Sequence, residues 1–187
     1  MRRRACLIAA PLSLLRPPAF AQTADFWAVL REGGVVALIR HAQTEPGLGD
    51  PAGFRLGHCH TQRNLSPEGR AQARRLGEAF RQAGVRVDEV RSSAWCRCVD
   101  TAQFAFGQAT VWGALNSFFR DGSGETQTAQ VLQALNGLQH PRNWALVTHQ
   151  VNITALTGEV PAMGEVLLAR PQAEGRGLRV LARHAFL

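Results

Sequence analysis

The segment ALIRHAQTE, residues 37–45, is an apolar run that breaks off at Arg40-His41. Two polar, ionisable side chains at the tip of a strand-like run are poor core material. The pattern recurs further on. Thr148-His149 closes the run Trp144 to Val147, and Arg97 follows the short run Val87 to Ser92 by a few residues. If the three runs are parallel neighbours in one sheet, two arginines and two histidines meet at its carboxyl edge, where open α/β sheets hold their ligands. A phosphoryl group asks for this set. Arg grips non-bridging oxygens bidentately, fixed positive charge stabilises the transition state, and a neutral imidazole can attack phosphorus to give a covalent phosphohistidine that water then hydrolyses. Neighbouring arginines disfavour the imidazolium and keep that lone pair free.

Four segments then resemble, in order, those of the histidine phosphatase superfamily, which includes phosphoglycerate mutases, acid phosphatases and phytases. LIRHAQT is similar to its R-H-G/A signature, and NLSPEGRAQARRLGEAF to the L-[ST]-x-x-G-x-x-Q-A start of its first large helix. RSSAWCRCVDTA is similar to S-S-x-x-x-R-x-x-x-T-A, and VTHQVNITAL to the second-histidine segment. The resemblance implies His41 as the phosphorylated nucleophile, with Arg40, Arg97 and His149 holding phosphoryl oxygens. It also makes Asn152 a residue that orders the pocket. Thr44 is a candidate extra donor or a simple turn former.

The sequence departs from the family at the proton donor. Expelling an alkoxide normally needs a general acid, yet Gln150 follows the second histidine where acid phosphatases have Asp. Ser117 in Leu115-Asn116-Ser117 stands where mutases have Glu. Glu125 is the first candidate donor and Asp121 the second, although Glu125 equally suits the first turn of the helix after it. Glu45 is a more remote candidate. Phosphoramidates and esters of acidic alcohols need little acid help. The leading expectation is therefore a phosphatase for phosphate monoesters or phosphoramidates, needing no cofactor or metal. Its substrate would be a small phosphate or a cell-envelope sugar phosphate. The alternative is a phosphate-binding member of the same fold that has lost turnover.

The positioning elements follow from periodicity. Helices are expected over Thr23 to Arg31, from Ser66-Pro67 to Gly84, Trp95 to Phe106, Glu125 to Leu138 and Asn152 to Thr157. Strands are expected over Val35 to Ile39, Val87 to Ser92, Trp144 to Val147, Glu165 to Ala169 and Gly177 to Ala182. Strands alternating with helices predict an α/β fold, a three-layer α/β/α sandwich around a mainly parallel sheet, phosphoglycerate mutase-like by resemblance.

The amino terminus reads as an export leader. Arg2, Arg3 and Arg4 precede a short apolar stretch, then Arg16-Pro17-Pro18 and the A-x-A pattern Ala19-Phe20-Ala21. Cleavage after Ala21 would leave residues 22–187 as a single catalytic domain in the periplasm. Four of the 21 basic residues leave with the leader, so 17 face 14 acids and the mature net charge is only +3. All are Arg, and no helix carries a basic stripe, which argues against nucleic acid. No run reaches the roughly 18 apolar residues of a membrane span.

Cys59, Cys96 and Cys98 remain in an oxidising compartment, where Cys59 can pair with either Cys96 or Cys98. Cys96 and Cys98 are too close to pair comfortably with each other. His58-Cys59-His60 with Cys96 and Cys98 can also be drawn as a metal site, but the spacing is far from the usual zinc patterns.

Overall fold

The computed structural model describes residues 19–119, 122, 124–172 and 177–186, with backbone alone over 19–25. The expected leader thus lies outside the described residues up to residue 18, and so does Asp121. In chain order the elements are α1 (Ala19–Glu32), β1 (Val35–Arg40), α2 (Pro67–Gln82), β2 (Glu89–Ser92), α3 (Cys96–Phe106), β3 (Thr110–Val111), α4 (Gly124–Leu135), β4 (Asn143–Thr148), α5 (Gln150–Thr157), β5 (Glu165–Pro171) and β6 (Leu178–Ala185). Short 3₁₀ turns sit at Cys59–Thr61 and Gly113–Leu115.

The unbroken apolar run of β1 is explained by its two covered faces. Val35, Ala37 and Ile39 point into a cluster with Phe26, Leu30, Leu76, Phe80 and Ala102, supplied by α1, α2 and α3. Val36 and Leu38 point the other way, into a cluster with Val131, Leu135, Ile153 and Leu156 from α4 and α5. Three layers follow directly from that alternation.

The sheet order is β3-β2-β4-β1-β5-β6. β1, β2, β3 and β4 are mutually parallel, while β5 runs antiparallel to both β1 and β6. The expected α/β class and mainly parallel sheet are those observed. Boundaries shift by a few residues: α4 starts at Gly124 and stops at Leu135, and β6 runs on to Ala185. β3 is an addition, two exposed residues recruited by pairing with β2.

α2 begins as its sequence dictates. Ser66 is extended, its hydroxyl accepts from the Gly69 N–H at 3.1 Å, and Pro67 occupies the first helical position. Such a cap contributes about 1 kcal/mol. No described helix is long and apolar enough to cross a membrane.

Candidate active site

β1 and β4 pair with Arg40 opposite Thr148, so His41 and His149 are the next residues off two adjacent parallel strands. The His41 N–H continues the ladder by donating to the Thr148 carbonyl at 3.0 Å. The two rings lie 5.5 Å apart between centroids, inclined at 68°. Both side chains are buried.

Helices fix the turn that follows β1. The Ala42 N–H donates to Thr101 Oγ1 of α3, and the Gln43 N–H to Gln72 Oε1 of α2, each at 3.0 Å. His41 Nδ1 lies 2.9 Å from the Ala42 carbonyl. A carbonyl only accepts, so Nδ1 carries the proton and Nε2 keeps its lone pair. Burial first, then the nearby Arg97, lowers the His41 pKa to about 3, and Arg40 and Arg63 add to the effect. His149 is likewise held well below its ordinary value, first by burial and then by His41 and Arg97. Both rings are therefore neutral at physiological pH.

His149 is braced from one side. Its Nε2 sits 2.8 Å from Ser93 Oγ and 3.5 Å from Cys98 Sγ, and Trp95 stands edge-on to the ring at 5.2 Å. Asn152, at the start of α5, donates to the Asn116 carbonyl at 2.9 Å, and Asn116 Oδ1 accepts from the Ala94 N–H at 2.8 Å. Asn152 thus orders the segment that carries Ser93, without itself lining the cavity.

The cavity is about 290 Å³ and includes Arg40, His41, Arg97 and His149 in its lining. It also includes residues that sequence reasoning had not selected: Asp50, Arg63 and Trp95. Asp50 Oδ1 accepts from Arg97 Nη1 at 2.8 Å and from the Arg63 N–H at 3.0 Å. Its Oδ2 accepts from Arg97 Nη2 at 3.3 Å and from Trp95 Nε1 at 3.0 Å. Burial alone would raise the Asp50 pKa, but Arg97, the Arg63 N–H and Trp95 outweigh it and hold the carboxyl below its ordinary range. Arg40 and Arg63 are each lowered first by burial and then by neighbouring guanidiniums. Three crowded arginines facing one carboxylate leave a net positive hollow, suited to an oxyanion.

The remaining candidates fall elsewhere. Thr44 is buried, with its hydroxyl 3.8 Å from Met163 Sδ, and does not line the cavity. Glu125 is exposed in the first turn of α4 and lines a separate hollow with Phe118 and Ala155, so the structure does not bring the expected donor to His41. In the first turn of α4 a carboxylate suits the helix terminus instead. Glu45 is exposed as well. Ser117 and Gln150 both line the cavity, so the two positions where an acid would be expected do face the site.

Cys59 is joined to Cys96, and Cys98 is a buried free thiol. The bridge ties the loop bearing Asp50 and Arg63 to the residue before Arg97. It also consumes two of the three thiolates of the metal site considered from the sequence, and among the described residues no cluster of three or more metal-ligating side chains forms.

Residues 36–115 match the profile of the histidine phosphatase superfamily (branch 1). No curated protein matches the sequence. Solved structures with the same fold include the protein histidine phosphatase SixA complexed with tungstate, at 15% identity and a TM-score of 0.57, covering 81% of this chain and 96% of that one. A phosphoserine phosphatase mutant (H9A) from Entamoeba histolytica, in complex with phosphoserine, has 15% identity and a TM-score of 0.58 over 80% and 95% of the two chains. The protein TTHB049 from Thermus thermophilus has 21% identity and a TM-score of 0.55 over 81% and 99%.

Proposed function

We propose that this chain, whose residues 36–115 match the profile of the histidine phosphatase superfamily, is a phosphatase that hydrolyses phosphate monoesters or phosphoramidates through a phosphohistidine on His41. The observation that carries the reading is the His41 tautomer: Nδ1–H is donated to the Ala42 carbonyl, so Nε2 is bare in a cavity lined by Arg40, Arg63, Arg97 and His149. Nε2 attacks phosphorus, the bond to the leaving oxygen or nitrogen breaks, and water then displaces His41 to release inorganic phosphate. Arg97 has both terminal nitrogens on Asp50 in this structure, while its Nε is buried without a hydrogen-bond partner. The guanidinium, held by Asp50, brings fixed positive charge to the cavity for a phosphoryl oxygen. Tungstate, named with the SixA structure, is an oxyanion of the same tetrahedral kind.

The test is release of phosphate from p-nitrophenyl phosphate by the purified protein, with mass spectrometric trapping of the phosphorylated His41 peptide. His41→Ala should abolish both. Vanadate binding without turnover on any substrate would instead favour the non-catalytic alternative. We further propose export to the periplasm with cleavage after Ala21. The leader-like sequence supports this, as does the Cys59–Cys96 bridge, a bond that persists in oxidising compartments. Amino-terminal sequencing of the fractionated protein checks it, and a cytoplasmic, uncleaved chain would overturn it.

A further inference from the structure

The mouth of the cavity is chemically unlike its floor. Leu48 and Phe119, both strongly exposed, line the cavity together with Phe54, Val151 and the buried Trp95. Leu48 is 102% exposed and Phe119 is 77% exposed, and they account for two of only five large apolar side chains left open to solvent among the described residues. Neither contributes to the core clusters. Two such side chains flanking one cationic hollow mark a place for an apolar group attached to the anion.

A second observation bears on the leaving group. Among the described residues lining the cavity, Asp50 supplies the sole carboxylate, and Arg97, Trp95 and the Arg63 N–H all bind its ionised form. It is a poor donor to an alkoxide. A phenolate leaves with its electron pair and is protonated later by water, so a site of this kind favours phenolic esters.

We propose that the substrates are aryl phosphates, with the aromatic ring seated between Leu48, Phe119 and Trp95 while the phosphoryl group lies on the arginines. This rests on the phosphohistidine reading above and departs from the expectation of a hydrophilic sugar phosphate. In the step itself, His41 Nε2 forms the N–P bond as the P–O(aryl) bond breaks. The phenolate takes a proton from solvent, and water then cleaves N–P to give phosphate.

The experiment compares kcat/KM for 2-naphthyl phosphate, phenyl phosphate, glycerol 2-phosphate and inorganic phosphoramidate, in the full chain and in Leu48→Ser, Phe119→Ser and the double variant. Phosphoramidate has no ring and needs no acid, so it reports the phosphohistidine machinery alone. The expected result is naphthyl over phenyl over glycerol phosphate in the parent chain. In the double variant, the naphthyl-to-phosphoramidate ratio should fall roughly tenfold, mainly through KM, as befits loss of apolar burial. An unchanged ratio, equal loss on both substrates, or glycerol phosphate preferred over naphthyl phosphate would overturn the proposal while phosphoramidate turnover leaves the phosphohistidine reading standing. Absence of phosphoramidate turnover and of phosphohistidine would remove that reading and this one with it.

Discussion

Asp50 meets Arg97 across two hydrogen bonds, 2.8 Å to one guanidinium nitrogen and 3.3 Å to the other, with both side chains buried. The carboxylate grips the end of the fork, and Nε is buried without a hydrogen-bond partner. Asp50 is thus a positioning residue for the arginine that the family motif singles out. Asp50→Asn keeps the shape but removes the charge that aims Arg97. Breaking a buried pair on one side costs about 3–5 kcal/mol, so the variant should melt lower. With one negative charge fewer in the cavity, vanadate should bind at least as well, while kcat falls roughly tenfold or more. Steady-state kinetics beside vanadate titration checks this, and unaltered kcat would refute the positioning role.

Acidity should act on stability before it protonates folded His41. The unfolded chain protonates a histidine near 6.5, while folded His41 resists until about 3. Between those values the unfolded state binds more protons, so stability falls as pH falls. His149 adds to the effect in the same direction. Urea midpoints should decline from about pH 6.5 downward, less steeply in His41→Asn. Between about pH 8 and about pH 5 His41 should add no step of its own to the rate of phosphohistidine formation measured by rapid quench, so the profile should follow only the second ionisation of the substrate, at about pH 6.

The Cys59–Cys96 bridge closes a segment of 37 residues. Chain-entropy reasoning assigns such a loop about 4 kcal/mol. Reduction, or Cys59→Ser with Cys96→Ser, should lower the melting temperature and raise KM together, since the bridge holds the loop of Asp50 and Arg63 against Arg97. Cys98 should not react with alkylating agents in the native protein, because burial pushes its thiol up to about 12. Thermal melts and steady-state kinetics with and without reductant test the first statement, and mass mapping of the alkylated native protein tests the second.

Gly69 faces the turn that follows His41. A Cβ there would lie 1.8 Å from the Gln43 carbonyl oxygen, which already accepts from the Ser66 N–H. Gly69→Ala therefore has to push residues 42–43 away from α2, disturbing the carbonyl that fixes the His41 tautomer. Turnover should drop more than stability does. Gly84→Ala, with open space around the added carbon but a φ of +65°, should show the reverse. Phosphatase assays beside thermal melts of the two variants separate the cases.

The parts of the site visible in the sequence are those mounted on regular structure. Arg40, His41 and His149 end apolar runs whose burial is dictated by period, and Arg97 opens a helix, so type and spacing were enough. Asp50 and Arg63 come from the irregular stretch between β1 and α2. Their placement depends on a disulfide and on turns such as Gly49, at φ +68°, none of which leaves a periodic trace. Glu125 illustrates the opposite error of reading. Its acidity was legible, but whether it served a helix terminus or a cavity depended on where α4 packs, which puts Glu125 in a separate hollow. β3 escaped notice because two exposed residues carry no pattern of their own.

The pairing of β1 with β4 has a metric consequence. Adjacent strands are held about 4.8 Å apart by their backbone hydrogen bonds, and His41 and His149 step off neighbouring strands at equivalent rungs. Their separation is set by peptide geometry rather than by side-chain choice. The sheet acts as a fixed gauge for the two imidazoles, and on the function proposed above the loops over it are free to change what the phosphoryl group is attached to.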